Sequence, residues 1–194
     1  FDHQPTVLEV AQSIGEGLAK NTVGGQINDQ KQIIDLRSKL NDGDKLNIIT
    51  QNSEQGLEVI RHSAAHVMAQ AVQEIWPDVQ VTIGPVIDNG FYYDFHTDRP
   101  FTEDDLKTIE QKMKEVIKRK LPIVREEWPK QEAIDTFRRI NENFKVEIIE
   151  DLDEDVVGVY RQGEWFDLCR GPHIQHTGQI KAMKVLHVAG AYWR

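Results

Sequence analysis

The sequence is poor in cysteine and contains no long hydrophobic run. Cys169 is the single cysteine among 194 residues, so no disulfide can form within the chain, as expected of a reducing compartment. No apolar segment approaches the roughly 18 residues of a membrane-spanning helix. The first residues, 1–4, lack the basic and apolar regions of a signal peptide. We therefore expect a soluble cytoplasmic protein with no membrane partner.

Positive charge is also scarce. The 23 lysines and arginines are outnumbered by 32 acidic residues, and the net charge of -9 argues against a general nucleic-acid coat. Segment 107–125 is the exception, with seven basic and two acidic residues, whereas 142–155 has seven acidic residues and only Lys145. The basic segment fits contacts with phosphate and fits a solvated helix surface equally well, so charge alone leaves both interpretations open.

Residues 1–50 have the pattern of a small α+β unit. The predicted elements are a helix over 6–19 and short strands over 23–27, 33–36 and 46–49, separated by Gly, Asn and Asp. One helix among short strands is typical of a ubiquitin-like β-grasp module. The polar stretch 50–56 predicts a domain boundary near residue 53. Because the chain starts with Phe1 rather than Met and stops just after an aromatic run, we expect a fragment of a longer protein.

Residues 54–194 predict a larger α+β domain with an antiparallel or mixed sheet and packed helices. The predicted elements are helices over 55–75, from Thr102 to before Pro122, and over 130–141; a hairpin over 81–95; and strands over 144–149, 156–160, 165–168 and 182–188. Thr102 with Asp105 forms a variant of the capping box. In the first of these helices the apolar residues fall on one stripe, from Leu57 to Ile75, and His62 and His66 lie on the opposite face.

The candidate chemistry lies in two pairs of residues that are four positions apart, which we call the four-residue steps. His62 and His66 are one helical turn apart and project together. Cys169 and His173 flank a Gly-Pro bend. These four groups would suit tetrahedral zinc, metal-free proton transfer, or a structural role, and spacing alone does not decide among them. A cysteine nucleophile is a weaker interpretation, because the sequence has no cysteine-protease signature. Asp167 points to the same side of its strand as Cys169 and could orient a histidine or a lysine.

Three sequence runs together resemble the threonyl-tRNA synthetase family. They are Ile-Arg-His-Ser-Ala-Ala-His at 60–66, Gly-Pro-Val-Ile-Asp-Asn-Gly-Phe-Tyr-Tyr-Asp at 84–94, and Asp-Leu-Cys-Arg-Gly-Pro-His at 167–173. The first 50 residues look like that family's β-grasp (TGS-like) domain, and residues 54–194 look like its tRNA editing domain. The His and Cys steps are shared with alanyl-tRNA synthetase editing domains, but the hairpin and the β-grasp unit favour the threonyl family. Residues 189–194 also match. Ala64 departs from the pattern, since some relatives carry cysteine there.

The resemblance implies hydrolysis of a mischarged ester, Ser-tRNA(Thr), by an activated water. Serine lacks one methyl group of threonine, and a missing methylene is worth only about 1 to 3 kcal/mol to a binding pocket, so a second site has to remove the error. Carried over by position, the implied catalytic residues are His62, His66, Lys145, Asp167, Cys169 and His173. The implied substrate-binding residues are Gly84, Pro85, Val86, Asp88, Tyr92 and Tyr93, and the tRNA-binding candidates are Lys114, Lys118, Arg119 and Lys120.

The same resemblance implies no metal and no cofactor in this fragment. ATP, magnesium and zinc would belong to the missing catalytic domain of the parent enzyme. The expected partner is the acceptor end of tRNA(Thr) carrying serine, and the parent is expected to be a homodimer while the fragment is a monomer. Two alternatives remain: a noncatalytic tRNA-binding module with structural histidines, and a zinc-dependent hydrolase.

Overall fold

A computed structural model of the chain describes residues 1–190; the aromatic run and most of the predicted match at 189–194 lie outside that range. Residues 1–50 contain α1 (Val7–Ile14), α2 (Glu16–Asn21), β1 (Thr22–Ile27) and β2 (Leu46–Thr50). Thr6 begins α1 through a capping box with Glu9. The prediction of one continuous helix is wrong, because the backbone at Gly15 is extended and separates α1 from α2. The strand predicted at 33–36 is also wrong: only Ile34 forms an isolated bridge, to Gly25.

The long helix α3 (Glu54–Ile75) is the centre of the second unit, and α4 (Glu103–Lys118) packs against it. Ser53 caps α3, and the predicted capping box of Thr102 and Asp105 begins α4. The core between the helices joins buried residues of both units, including Val23 and Ile49 of the first. The prediction of a single apolar stripe on α3 is wrong, because the middle of the helix is buried on nearly all sides while Leu57 is exposed.

The strands of the second unit are all paired antiparallel within residues 1–190, which confirms the α+β class. The predicted hairpin forms two nested pairs: β3 (Gln80–Val81) with β6 (Phe95–His96), and β4 (Val86–Ile87) with β5 (Gly90–Phe91). A three-stranded sheet has the order β7 (Ile123–Pro129), β8 (Val156–Gln162), β9 (Trp165–Leu168). Helices α5 (Lys130–Arg139) and α6 (Asn143–Glu150) lie between β7 and β8 in the chain and form a second core with the sheet.

Two strand predictions in this unit are wrong. Residues 144–149 form most of α6, because Lys145, Val146 and Ile149 are buried at helical spacing. Residues 182–188 form no strand; the segment lies along α4, where the backbone N–H of Val185 donates to Glu110. None of the helices within residues 1–190 is both long and apolar enough to span a bilayer.

Candidate active site

The two predicted four-residue steps meet. His62 and His66 project from α3 towards the bend that follows β9, where His62 is half-buried and His66 is 4% exposed. The Sγ atom of Cys169 lies 3.3 Å from Nε2 of His62 and 3.3 Å from Nε2 of His173. The backbone N–H of Gly171 also donates to this sulfur, at 3.2 Å. One donor atom from each of the four predicted residues lies within 4.8 Å of the others, so the fold brings the set together.

Neighbouring hydrogen bonds determine the tautomers of two of these histidines. Nδ1 of His62 lies 3.2 Å from the carbonyl of Pro172, which can only accept, so Nδ1 carries the proton. The hydroxyl of Ser63 donates to the carbonyl of Val59 and therefore accepts from Nδ1 of His173, at 3.1 Å. Both rings thus turn an unprotonated Nε2 towards the same thiol, which has one hydrogen to donate.

Burial keeps the ring and thiol groups uncharged. Desolvation lowers the pKa of His62 below its usual 6.5 and holds the pKa values of His66 and His173 well below it. Desolvation also raises the pKa of the Cys169 thiol to about 12. At neutral pH the cluster therefore consists of three neutral imidazoles and a protonated thiol, and the thiol can donate to only one of the two Nε2 atoms that face it.

A buried ion pair adjoins the cluster. Lys145 of α6 and Asp167 of β9 are 3% and 1% exposed, and Nζ of Lys145 lies 2.7 Å from Oδ1 of Asp167. The hydroxyl of Tyr93 donates to the other carboxylate oxygen and lies 3.1 Å from the ammonium group. Burial and the negative charge of Asp167 raise the pKa of Tyr93 well above 10.0, so the phenol stays protonated. Nε2 of His66 lies 3.8 Å from Asp167, which links the ion pair to the histidines.

A cavity of about 370 Å³ opens onto both groups. Its lining residues are His62, His66, Thr82, Ile83, Gly84, Pro85, Tyr93, Lys145, Ile148, Asp167, Leu168 and Cys169. Of the predicted substrate-binding residues, Gly84, Pro85 and Tyr93 line it. Val86, Asp88 and Tyr92 do not, and Tyr92 is 42% exposed. The two tyrosines lie between β5 and β6 and differ in burial: Tyr93 stacks on Phe95 and is 8% exposed, whereas Tyr92 faces solvent.

Sequence reasoning missed four lining residues and one supporting residue. Thr82, Ile83 and Ile148 line the cavity from outside the three motif runs, and Leu168 lies inside the run at 167–173 without a chemical signal of its own. Ser63 lies inside the histidine motif but carries no signal of its own, and its role depends on a bend that is 110 residues away in the chain. His173, by contrast, was predicted but does not line the cavity; it stacks behind His62 with a ring-centroid distance of 4.2 Å.

The predicted tRNA-binding residues lie away from the cavity, at the end of α4. Lys114 is paired with Glu110 at 2.7 Å, and Arg119 with Glu74 at the end of α3. Lys118 and Lys120 are exposed and form no ion pair within residues 1–190. Glu74 follows His66 by eight residues, which corresponds to about 12 Å along the axis of α3.

Comparison with known proteins decides the family. Residues 1–50 match the TGS domain, and residues 157–191 match the threonyl and alanyl tRNA synthetase second additional domain. A threonine–tRNA ligase of Bdellovibrio bacteriovorus is 60% identical over 198 residues, and one of Alkalilimnicola ehrlichii is 52% identical over 195 residues. Each comparison covers 100% of this chain and 30% of the relative. The chain is homologous to the N-terminal region of bacterial threonyl-tRNA synthetase.

The match to threonyl-tRNA synthetase confirms the family that the sequence motifs indicated. The matched second additional domain includes β8, β9 and the bend at 169–173. His62, His66 and Lys145 precede the matched segment, and the fold brings them to it. The chain spans about 30% of the length of these threonyl-tRNA synthetase relatives.

Proposed function

We propose that this chain is an editing deacylase that hydrolyses the aminoacyl ester of tRNA(Thr) carrying serine. The observation that carries the proposal is that a neutral histidine base and a buried lysine–aspartate pair line the same cavity. An ester hydrolase needs a base for the attacking water and a positive group for the oxygen that becomes charged. His62 and Lys145 supply these two functions.

The reaction follows from the protonation states of the site. Nε2 of His62 accepts a proton from water, and the water oxygen attacks the ester carbonyl carbon. The Lys145 ammonium stabilises the resulting oxyanion, while Asp167 and Tyr93 hold the ammonium in place. As the intermediate collapses, the ribose oxygen leaves with the proton that His62 had accepted. The products are serine and uncharged tRNA, and the enzyme returns to its starting state.

Selection of serine over threonine is assigned to one wall of the cavity, at Gly84 and Tyr93. The apolar lining of the cavity includes Ile83, Ile148 and Leu168, and Gly84 lies so close to Tyr93 that an added Cβ would be 2.3 Å from the ring. A wall without free space excludes an extra methyl group by steric overlap, whereas a binding pocket for threonine gains only about 1 to 3 kcal/mol from that methyl group. A cavity of this kind accepts the smaller amino acid.

The wider assignments are part of the same proposal. The acceptor arm of tRNA(Thr) would contact Lys118 and Lys120, the two exposed lysines of the basic segment without an ion pair in the described part of the chain. Deacylation in this chain uses no cofactor, and the use of ATP, magnesium and zinc belongs to the remainder of a dimeric, cytoplasmic parent enzyme.

Zinc-dependent hydrolysis is a second candidate because the donor geometry favours it. His62 and His173 each donate Nδ1–H to a protein oxygen and turn Nε2 to the thiol, as metal-bound histidines commonly do. The set of three imidazoles and one thiol is a zinc ligand set, and the bound metal would polarise a water or the ester carbonyl.

The deciding experiment measures release of amino acid from Ser-tRNA(Thr) and Thr-tRNA(Thr), with and without a chelator. We expect rapid and selective release of serine that the chelator does not change. Lys145→Met should abolish it, whereas Lys45→Met, at an exposed lysine of the first unit, should not. Loss of activity in chelator and recovery with zinc would favour the second candidate. Binding of tRNA without release of serine would contradict both and support a noncatalytic module.

A further inference from the structure

A hydrogen bond between the two units ends beside the candidate site. Asp35 of the first unit is 5% exposed, and its Oδ2 accepts from the hydroxyl of Tyr160 at 2.8 Å. The other carboxylate oxygen accepts from the backbone N–H of Arg37 at 2.8 Å, which fixes the carboxylate in the loop. Tyr160 of β8 is fully buried, and burial raises the pKa of its phenol, so the hydroxyl remains a donor. Neither Asp35 nor Tyr160 lines the cavity.

Tyr160 supports the bend that carries Cys169 and His173. Its ring meets the ring of His173 edge-on, with centroids 4.5 Å apart. Its hydroxyl lies against the backbone of Gly171, where an added Cβ would be 1.9 Å away. In the pairing of β8 with β9, Tyr160 is directly opposite Asp167, so the two side chains lie on the same face of the sheet.

Other hydrogen bonds between the units end elsewhere. Arg37 donates to the carbonyl of Ile123 on β7, and Gln179 donates to the carbonyl of Lys20. Neither Ile123 nor Gln179 lines the cavity or belongs to the four-residue cluster. The hydrogen bond from Tyr160 to Asp35 differs from these because its donor contacts two residues of the bend.

We propose that Asp35 is a positioning residue for the hydrolysis, acting through Tyr160 on His173 and Gly171. The first unit then completes the site instead of merely adjoining it. This inference rests on the proposed function. Without Asp35 the buried phenol lacks its acceptor and has to turn to find another, which shifts the ring from His173 and the hydroxyl from Gly171. Gly171 in turn donates to the sulfur of Cys169, so the displacement reaches the catalytic cluster.

The kinetic test compares Asp35→Ala, Asp35→Asn and Tyr160→Phe in the 194-residue protein acting on Ser-tRNA(Thr). We expect Asp35→Ala and Tyr160→Phe each to lower kcat by about tenfold with KM unchanged, because the cluster is displaced while the cavity remains. Asp35→Asn keeps an acceptor for the phenol and should restore most of kcat. The double variant Asp35→Ala/Tyr160→Phe should be no slower than either single variant, since both remove one interaction.

Gln179→Ala is the matched control, because it removes a hydrogen bond between the units that does not pass through Tyr160. It should leave kcat within about twofold of the parent. Effects of Asp35→Ala and Tyr160→Phe that multiply in the double variant would overturn the proposal, as would an unchanged kcat in Asp35→Ala. A loss of kcat in Gln179→Ala equal to that in Asp35→Ala would overturn it too, by indicating general loosening between the units.

A spectroscopic measurement separates this inference from the proposed function. In protein labelled with ¹⁵N-histidine, the imidazole signals of His173 should shift in Asp35→Ala and in Tyr160→Phe, and should return near their parent positions in Asp35→Asn. Those shifts are expected even if the parent protein releases no serine, which is the result that contradicts the editing proposal. Unchanged His173 signals in Asp35→Ala refute the positioning role whether or not the protein is active.

Discussion

Replacing Lys145 by methionine should strongly destabilise the fold as well as remove activity. The substitution keeps the length of the side chain but leaves the Asp167 carboxylate buried at 1% exposure without its cation. The hydroxyl of Tyr93 remains as a neutral donor, and His66 is held neutral by burial. Removing one partner of a buried ion pair costs about 3 to 5 kcal/mol, which is a large part of the 5 to 15 kcal/mol that stabilises a typical domain.

The double variant Lys145→Met/Asp167→Asn separates stability from activity. Replacing both charges removes the uncompensated carboxylate, and exchange of a buried ion pair for uncharged groups is often nearly neutral. We therefore expect the double variant to be more stable than Lys145→Met by about 2 kcal/mol or more, yet to remain inactive. Arg119→Met is the matched control, because Arg119 and Glu74 form an ion pair whose side chains are 43% and 30% exposed. It should cost at most about 1 kcal/mol.

Urea unfolding followed by circular dichroism at pH 7 measures these free energies, and release of serine from Ser-tRNA(Thr) measures activity. A loss below about 1 kcal/mol in Lys145→Met would contradict the buried ion pair, since that is the range of exposed pairs. Strictly additive effects of Lys145→Met and Asp167→Asn on the free energy of unfolding would also contradict the buried ion pair. Activity in a stable double variant would refute the assignment of Lys145 to the oxyanion.

Three further predictions concern the histidine–cysteine cluster and the residues that support it. Acid should destabilise the protein, because His66 and His173 bind protons near pH 6.5 in the unfolded chain but stay neutral in the folded protein. The free energy of unfolding, measured by urea titration, should therefore fall by about 2 to 3 kcal/mol between pH 7 and 5.5. Gly171→Ala should abolish deacylation and lower the melting temperature, because Gly171 has φ 72° and leaves no space for a Cβ. Gly90→Ala is the control and should do neither, because a Cβ at Gly90 would meet open space. Ser63→Ala removes the acceptor of His173 and should cost about 1 to 3 kcal/mol of stability by urea unfolding; no loss would contradict the tautomer derived for that ring.

Local signals in the sequence predicted the elements that are governed by local interactions. The capping box at Thr102 and Asp105 places the start of α4, and the hairpin predicted over 81–95 is present, with its turn at 88–89 between β4 and β5. The strand predicted at 144–149 fails because its apolar residues fit either period over so short a run. The neighbouring core determines that this segment is helical, because Phe137 and Ala133 of α5 pack with Val146 and Ile149.

The sequence predicted site residues only where the residue type itself, such as histidine or cysteine, indicates a chemical function. The two four-residue steps and the family resemblance marked His62, Cys169 and their partners. No sequence signal marks Ser63 or Tyr160, because an ordinary serine on a helix and an ordinary tyrosine on a strand acquire their roles only from a bend far away in the chain. Val86 and Asp88 were predicted because they belong to the run at 84–94, although only Gly84, Pro85 and Tyr93 of that run line the cavity.

In the proposed reaction, burial explains why a site with three histidines and a cysteine depends on one lysine for its positive charge. Desolvation removes the charge from all three imidazoles and keeps the Cys169 thiol protonated, so none of these groups offers a cation to a developing oxyanion. Nζ of Lys145 lies 2.7 Å from Oδ1 of Asp167, and both residues of this ion pair line the cavity. An ammonium group held by a carboxylate and a phenol needs little reorganisation during the reaction, which is the condition under which electrostatic stabilisation of a transition state is strongest. In the proposed reaction the base has to be uncharged near neutral pH, so the burial that prevents the histidines from stabilising the oxyanion also suits His62 to accept the proton of water.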